Sequence, residues 1–286
     1  MKTFLDCVPC FVRQALDASR MVTPDENVHR HVLQQVLAMA SQLDYSLTPP
    51  HMGQHIHALI REATGNPDPY RAAKERSNRL ALSLYPDLAK RVEQAADPLD
   101  AAVRMAIAGN IIDFGIRSHI DDSEVLRSIE DAFVLPLDPE AVARLRAAFA
   151  AADDVLYVVD NAGEIVFDRL LIDQLGPDKI TLVVKAQPII NDATLADAQA
   201  AGLGDIVPII DNGSSAPGTI LDTCSDAFRK RFADADLIIA KGQANYETLS
   251  EAEQHIFLLL KAKCEVIARD IGCEQGSLVA LEHQGR

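Results

Sequence analysis

Near residue 150 the spacing of apolar residues in this 286-residue sequence changes from a helical to a strand-like pattern. Before that point Ala, Leu, Gln and Arg recur at helical spacing, and strand-like runs are nearly absent. Pro and Gly residues separate the helical segments, for example at Thr48-Pro49-Pro50, as is typical where helices stop and start. The predicted helices cover residues 28–43, 51–63, 71–84, 99–112 and 139–151. We therefore predict an all-helical first domain over residues 1–150.

After residue 152 short β-branched runs alternate with helical segments. The predicted strands cover residues 155–159, 180–185, 206–210, 237–240 and 265–268, with helices over 165–175 and 193–201. Apolar strands separated by helices indicate a parallel sheet that is covered on both faces, and right-handed crossovers make it doubly wound. The predicted fold class is α/β, with the helical domain beside an α/β domain over residues 151–286.

The charge balance argues against two classes of partner. Asp and Glu outnumber Lys and Arg by 42 to 27, which gives a net charge of −15. General nucleic-acid binding and binding to anionic membranes normally need a basic surface, so we expect neither partner. Asp6 and Arg13 interrupt what would be the apolar part of a secretory signal, and no apolar run approaches the ~20 residues that span a bilayer. We expect a soluble, cytoplasmic protein.

Polar residues follow the first four predicted strands. Their turns read Asp160-Asn161-Ala162-Gly163-Glu164, then Asn191-Asp192, then Asp211-Asn212-Gly213, and then Lys241-Gly242-Gln243-Ala244-Asn245. The carboxyl ends of parallel strands meet at one edge of a sheet, which is where ligands bind in open α/β folds. The four turns should therefore converge.

The chemistry of these turns suits a divalent metal and a phosphate. Asp160, Asn161 and Asp192 offer two carboxylates and an amide oxygen, which are hard ligands suited to Mg²⁺ or Mn²⁺. Lys241, followed by Gly242 and a helix start, offers an ammonium and free backbone N–H groups to an anion. A metal beside a phosphate site indicates phosphoryl chemistry. The alternative is that each Asp or Asn only caps a turn or a helix.

Competing catalytic motifs are missing. The sequence contains neither G-x-x-x-x-G-K-S/T, nor G-x-G-x-x-G after a strand, nor G-x-S-x-G. A phosphatase of the haloacid-dehalogenase type would need a second Asp two residues after Asp160, where Ala162 stands. The sequence therefore gives no support for a P-loop enzyme, a dinucleotide-binding protein or a serine hydrolase.

Taken together, the motifs resemble those of the damage-control phosphatases, formerly domain-of-unknown-function family 89, also called the acidic-residue-methyltransferase-like metal-binding domain. The resemblance rests on the turns at 160–164, 191–192 and 241–247, and on Asp68-Pro69-Tyr70 and residues 109–115 in the helical half. Cys7-x-x-Cys10 resembles the prokaryotic branch. These motifs cover nearly the whole chain.

The resemblance implies a helical part packed on a Rossmann-like three-layer α/β/α core with a mostly parallel sheet. It implies a divalent metal, Mg²⁺ or Mn²⁺ with Co²⁺ or Ni²⁺ as alternatives, and hydrolysis of sugar phosphates or damaged phosphometabolites. By motif match, Asp160, Asn161 and Asp192 correspond to the metal ligands. Lys241 falls at the phosphate-binding position, with Gly242 and Asn245 in the same loop.

Three further residues enter the expected site. A water molecule, or Asp160 itself, would attack phosphorus in line, and Glu164 would orient water or a metal ligand, unless it only begins a helix. Asn110 and Asp113 share a helix face and are expected to contact substrate, the alternative being an internal hydrogen-bonded pair. We thus expect catalytic roles for Asp160, Glu164 and Lys241.

The cysteines do not form a disulfide framework, because there are only five in a long chain. Cys7 and Cys10 share a helix face, and no second C-x-x-C completes a zinc knuckle. Inert structural thiols are the first interpretation. The second is either a metal site that includes Cys264 and a His, or a redox pair of Cys7 and Cys10.

We predict a metal-dependent phosphatase that hydrolyses a small phosphorylated metabolite. The alternatives are a phosphotransferase, a carboxyl methyltransferase, for which the sequence has no Gly-rich adenosine loop, or a non-catalytic sensor that binds a phosphometabolite. The residues identify neither the substrate, the physiological metal nor the oligomeric state.

Overall fold

The computed structural model of the chain describes residues 1–109 and 122–285. Helices fill the first half: α1 Cys7–Val22, α2 Glu26–Ala40, α3 Pro49–Thr64, α4 Arg71–Glu93, α5 Pro98–Ala108, α6 Asp122–Val134 and α7 Pro139–Ala151. Four of them, α2, α3, α5 and α7, begin within two residues of the predicted start, at a Pro in the first turn or after an Asp that accepts a hydrogen bond from the first-turn backbone. None of the described helices combines the length and apolar character needed to cross a bilayer.

Strands and helices alternate in the second half, in this order: β1 Val155–Val158, α8 Glu164–Leu175, β2 Ile180–Val184, α9 Leu195–Ala200, β3 Ile209–Asp211, α10 Asp226–Asp234, β4 Leu237–Lys241, α11 Gln243–Leu249, β5 Ile256–Lys261, α12 Glu265–Ile271 and β6 Leu278–His283. The sheet order is β3-β2-β1-β4-β5-β6, parallel except for β6, which runs antiparallel to β5. This confirms the predicted α/β class with a mostly parallel, doubly wound sheet. The boundary between two domains at residue 150 stays a prediction.

One predicted strand is wrong. Residues 265–268 were expected to form a strand but lie in α12, and the last two strands are β5 and β6. A four-residue apolar run fits a buried helix turn as well as a strand, so its pattern does not separate the two.

Alternate residues of the central strands enter two separate cores, one on each face of the sheet. Val155 and Tyr157 of β1 join the core that includes α5, α7 and α8, whereas Leu156 and Val158 join the core that includes α10, α11 and α12. All four are buried, as the period-two geometry of a covered strand requires. A third cluster holds α1, α2 and α3 together. The polar turns at the strand ends are left at the sheet edge.

Candidate active site

The turn after β1 begins at the point where the strand order of the sheet reverses. Asp160 and Asn161 follow β1, and both are buried, with 6% of each residue exposed. Gly163 turns the chain into α8 at φ +80°, where a Cβ would lie 2.9 Å from Ser77 Cβ on α4. The N–H of Gly163 donates to Asn78 Oδ1, 2.7 Å away. Helix α4 therefore packs against this turn and holds it in place.

The segment that carries Asp192 pairs directly with this turn. Asn161 and Asp192 form an isolated antiparallel bridge. The N–H of Ala162 donates to Asn191 O, and the N–H of Ala193 donates to Asp160 O, both at 2.8 Å. Backbone hydrogen bonds thus bring together the three predicted metal ligands, Asp160, Asn161 and Asp192, although 31 positions separate the last two.

Gly242, after β4, leaves room for the Asp160 carboxylate. A Cβ on Gly242 would lie 1.8 Å from Asp160 Oδ2, and the backbone there has φ +83°. Only glycine combines that conformation with so close an approach. The predicted role of Gly242 in substrate binding is untested, and what the structure displays is its contact with Asp160.

The amide of Asn161 has a defined orientation. Its Nδ2 donates to Asp160 Oδ2 at 2.8 Å and to Glu164 Oε2 at 3.1 Å. Two carboxylate acceptors require the NH₂ end of the amide on their side, so Oδ1 points away from them. Glu164 is fully buried, and it orients a predicted ligand rather than facing solvent.

Lys241 was expected to bind the phosphate, and the structure places its ammonium in the interior of the protein. Its side chain is fully buried. Its Nζ donates to Ala106 O at 2.6 Å, to Glu164 Oε1 at 2.8 Å and to Asp168 Oδ1 at 2.7 Å. An ammonium has three N–H donors, so none is left for a phosphate oxygen in this arrangement. The strand end is covered by α5 and α8, which carry these acceptors. A phosphate contact of Lys241 stays a prediction.

These buried charges balance one another. Burial alone would lower the pKa of Lys241, but Asp168 and Glu164 outweigh it and raise that pKa above its ordinary value. Burial raises the pKa of Asp168, although the Lys241 ammonium acts in the opposite direction. Tyr157 also donates to Asp168 Oδ1, at 2.9 Å. Hydrogen bonds therefore run from Tyr157 through Asp168, Lys241 and Glu164 to Asn161, and they hold this candidate ligand in place.

Asn245 is likewise engaged by the protein. Its Nδ2 donates to Lys241 O at 2.7 Å and to Val159 O at 3.2 Å, and its Oδ1 accepts from Thr219 Oγ1 at 2.8 Å. The residue is fully buried. Its predicted contact with substrate stays a prediction. In the structure its side chain connects α11 to the end of β4, to the residue after β1 and to the loop after β3. Asn110 and Asp113, also expected to bind substrate, lie outside the described residues.

Lys185 is a candidate residue that the sequence reasoning missed. It directly follows β2, is 3% exposed, and its Nζ lies 3.5 Å from Asp192 Oδ2. Its Nζ also donates to Gly218 O. The sequence does contain a signal for it, because Lys185 lies at the end of a predicted strand, on the edge of the sheet where ligands bind.

The N-terminal thiols lie near α11. Gln243 Nε2 on α11 contacts Cys264 Sγ at 3.8 Å, and Cys264 and Glu247 act electrostatically on both Cys7 and Cys10. Burial raises the pKa of Cys7 and of Cys10, which disfavours the reactive thiolate. All five cysteines are free. The arrangement agrees best with structural thiols.

The donor set fits a hard divalent cation. Among the described residues, no group of three or more His, Cys, Asp and Glu side chains is placed to hold a metal ion. The candidate set is different, because it has two carboxylates and completes its oxygen ligands with the Asn161 amide. The space that Gly242 leaves for Asp160 and the oriented Asn161 Oδ1 favour such a site.

Comparison with known proteins agrees with this architecture. Residues 3–279 match the damage-control phosphatase ARMT1-like domain. A damage-control phosphatase of Archaeoglobus fulgidus is 36% identical over 96% of each chain, and one of Pyrococcus horikoshii is 33% identical over 99% of each. An uncharacterised protein of Methanocaldococcus jannaschii is 38% identical over 97% of this chain and 94% of its own. The crystal structure of a DUF89 family protein from Pyrococcus horikoshii superposes with a TM-score of 0.88 at 31% identity, covering 99% of this chain and 100% of that one.

Proposed function

Because the chain belongs to the damage-control phosphatase family with the ARMT1-like domain, we propose that it hydrolyses a phosphate monoester of a small metabolite with the help of a divalent cation. The substrate class is a sugar phosphate or a damaged phosphometabolite. In the reaction, a water oxygen bonds to phosphorus and the bond from phosphorus to the ester oxygen breaks. The proton that the water gives up is transferred to that ester oxygen, so that an alcohol and inorganic phosphate are formed.

The observation that carries this proposal is the convergence of three oxygen donors from two loops. Asp160, Asn161 and Asp192 are joined by backbone hydrogen bonds at the strand-order reversal, the usual ligand position of open α/β sheets. We propose that these three residues hold Mg²⁺ or Mn²⁺, with Co²⁺ or Ni²⁺ as substitutes. A divalent cation at that position supplies positive charge for the negative charge that develops on a phosphate.

The protein's own contribution is to hold these oxygens in place before substrate arrives. Glu164 and Asp160 fix the Asn161 amide, and Lys241 in turn fixes Glu164. Preorganised groups of this kind stabilise developing charge more strongly in a water-poor site than in solution, because they need little reorganisation during the reaction. We propose that Glu164 acts by positioning Asn161, and Asp160 by binding the cation.

The test is phosphate release from a panel of sugar phosphates, nucleotides, phosphopantetheine and p-nitrophenyl phosphate. The protein is first stripped with a chelator and then supplied with Mg²⁺, Mn²⁺, Co²⁺ or Ni²⁺ separately. We expect turnover only after a metal is added, and loss of about a hundredfold or more in Asp160→Asn and Asp192→Asn, because each replaces a charged ligand by a neutral isostere.

Asp211→Asn is the matched control, because Asp211 ends β3 at the same edge but is exposed, and within the described part of the chain its side chain accepts a hydrogen bond from Gly213 N–H alone. It should keep full activity. Metal binding without phosphate release from any ester would contradict the phosphatase proposal and favour a non-catalytic sensor. Equal activity with and without chelator would contradict the metal.

A further inference from the structure

Two buried lysines stand at the carboxyl edge of the sheet, and their hydrogen bonds differ. Lys241 ends β4 and Lys185 directly follows β2. Each ammonium has three N–H donors. Lys241 uses all three on protein oxygens no more than 2.8 Å away. It is therefore fully engaged in the interior, without a donor for a ligand.

Lys185 has a donor to spare. Its Nζ donates to Gly218 O and lies 3.5 Å from Asp192 Oδ2, and no third partner is found in the described ranges 1–109 and 122–285. The side chain is 3% exposed. A buried ammonium with an unused N–H is costly, because it has lost its water without a full set of acceptors. An anion at this position would supply the missing acceptor.

The position of the Lys185 ammonium is held by its surroundings. Gly218 belongs to the loop after β3, and the next residue anchors that loop to α11: Thr219 N–H donates to Thr248 Oγ1 at 2.9 Å, and Thr219 Oγ1 donates to Asn245 Oδ1 at 2.8 Å. A Cβ on Gly218 would lie 2.2 Å from Ala244 O, so the loop sits tightly on α11. The ammonium is therefore fixed beside Asp192 rather than free to swing away.

We propose that Lys185, and not Lys241, contacts the phosphate group of the substrate. Lys185 shares Asp192 with the proposed cation site, so its positive charge lies beside the place where a phosphate would meet that site. The assignment rests on the proposed phosphatase function. Lys241 then serves as a positioning residue that acts on Asn161 through Glu164.

The test measures binding of inorganic phosphate, the reaction product, by calorimetry on the full chain loaded with Mn²⁺, and measures Mn²⁺ affinity separately by electron paramagnetic resonance. Lys185→Met should weaken phosphate binding about ten- to a hundredfold, which is the range for losing a hydrogen bond to a charged group. Its Mn²⁺ affinity should be equal to or higher than that of the unmodified protein, because a repelling charge has been removed. Lys230→Met, at an exposed position on α10, is the matched control.

Lys185→Arg gives a second variant that keeps the charge and both protein partners within reach. It should retain phosphate binding within about tenfold of the unmodified protein, since guanidinium also binds phosphate. Unchanged phosphate affinity in a folded Lys185→Met protein would overturn the assignment. So would a Lys241→Met protein that loses phosphate binding but keeps Mn²⁺ binding.

The outcomes separate the two proposals. A protein that hydrolyses esters but binds phosphate equally well with and without Lys185 would leave the phosphatase proposal standing and overturn this one. A protein that binds phosphate through Lys185 but hydrolyses nothing would do the reverse. Absence of phosphate binding in the unmodified protein would overturn the assignment of Lys185.

Discussion

Gly242 and Asp160 meet across the strand-order reversal, and their contact links β1 to β4 at the candidate site. The Asp160 carboxylate occupies the space where any other residue at position 242 would place its Cβ. A methyl group there would push the carboxylate away from Asn161, which donates to it at 2.8 Å. Glycine is therefore needed at position 242 for two reasons: the backbone has a positive φ, and the Asp160 carboxylate occupies the space of a Cβ.

Gly242→Ala should weaken Mn²⁺ binding by about a hundredfold and destabilise the protein by about 2 kcal/mol or more, because clash and backbone strain add. The measurements are Mn²⁺ affinity and urea unfolding. Gly272→Ala is the matched control, since Gly272 has φ +84° but nothing within 4 Å of the added methyl. Gly272 has ψ 35° and lies in the αL region, where alanine is less strained than at ψ 164° of Gly242, so this variant should lose less stability and leave Mn²⁺ affinity unchanged. Equal Mn²⁺ affinities in the two variants would contradict the steric argument.

At the residue scale the sequence predicts which oxygen donors converge at the site. It does not predict which lysine ammonium group next to them keeps a free donor. Asp160, Asn161 and Asp192 could be found because each lies in a turn after a strand. Lys241 and Lys185 look alike by the same criterion. Their difference depends on Ala106, Asp168 and Gly218, residues distant in sequence whose contacts no local pattern indicates.

Helix α4 is the element that connects the helical half to the candidate site. Asn78 on α4 accepts from Gly163 N–H and donates to Asp197 Oδ1 on α9 at 2.9 Å. Lys74, one turn earlier, lies 3.7 Å from Asp197 Oδ2 and 3.1 Å from Asp68 Oδ2. All four side chains are buried, so α4 spans the turns after β1 and β2.

Asn78→Ala should destabilise the protein by about 2 kcal/mol, because it removes the acceptor of the buried Gly163 N–H and one of the donors to the Asp197 carboxylate. The β1–α8 turn loses its support, so Mn²⁺ affinity should fall about tenfold as well. Thermal unfolding and Mn²⁺ titration measure the two effects. Ser83→Ala, at an exposed position on the same helix, should change neither. An Asn78→Ala protein that loses stability but binds Mn²⁺ normally would contradict the claim that metal binding depends on the support of this turn by Asn78.

The helices of the first half could be predicted because Pro, Gly and Asp mark their ends. How those helices cover the sheet could not be, because interhelical packing depends on side chains from several elements at once. The wrongly predicted strand at 265–268 has the same cause. These residues form part of α12, and the packing of that helix on the sheet cannot be inferred from four apolar residues.

At the scale of the whole molecule, two buried titratable groups should give the stability opposite pH dependences. Burial lowers the pKa of His57 from 6.5 to about 3, and burial raises the pKa of Glu247 from 4.5 to about 7. The unfolded chain therefore binds more protons at His57 between pH 3 and 6.5, so that residue's contribution to stability is lost as pH falls. The folded chain binds more protons at Glu247 between pH 4.5 and 7, so that contribution is lost as pH rises.

Glu247→Gln should therefore gain stability relative to the unmodified protein as pH rises from 4.5 to 7, reaching about 3 kcal/mol. Glutamine keeps the shape and can still pair with Gln243, but it does not ionise. The free energy of unfolding in urea, measured from pH 4 to 8, checks this. Glu75→Gln, at an exposed position, should follow the unmodified protein throughout. Parallel curves for Glu247→Gln and the unmodified protein would contradict the ionisation penalty at Glu247.

The sequence by itself determined the α/β class, the change near residue 150 and the oxygen-rich turns, because helix ends, strand hydrophobicity and turn chemistry are local properties. Tertiary structure alone decided which lysine is enclosed and which has a donor to spare, and why Gly242 must be glycine. It also decided that α4 holds the β1–α8 turn. These features arise where chain segments far apart in sequence are packed together, and burial and charge pairing there depend on every segment at once.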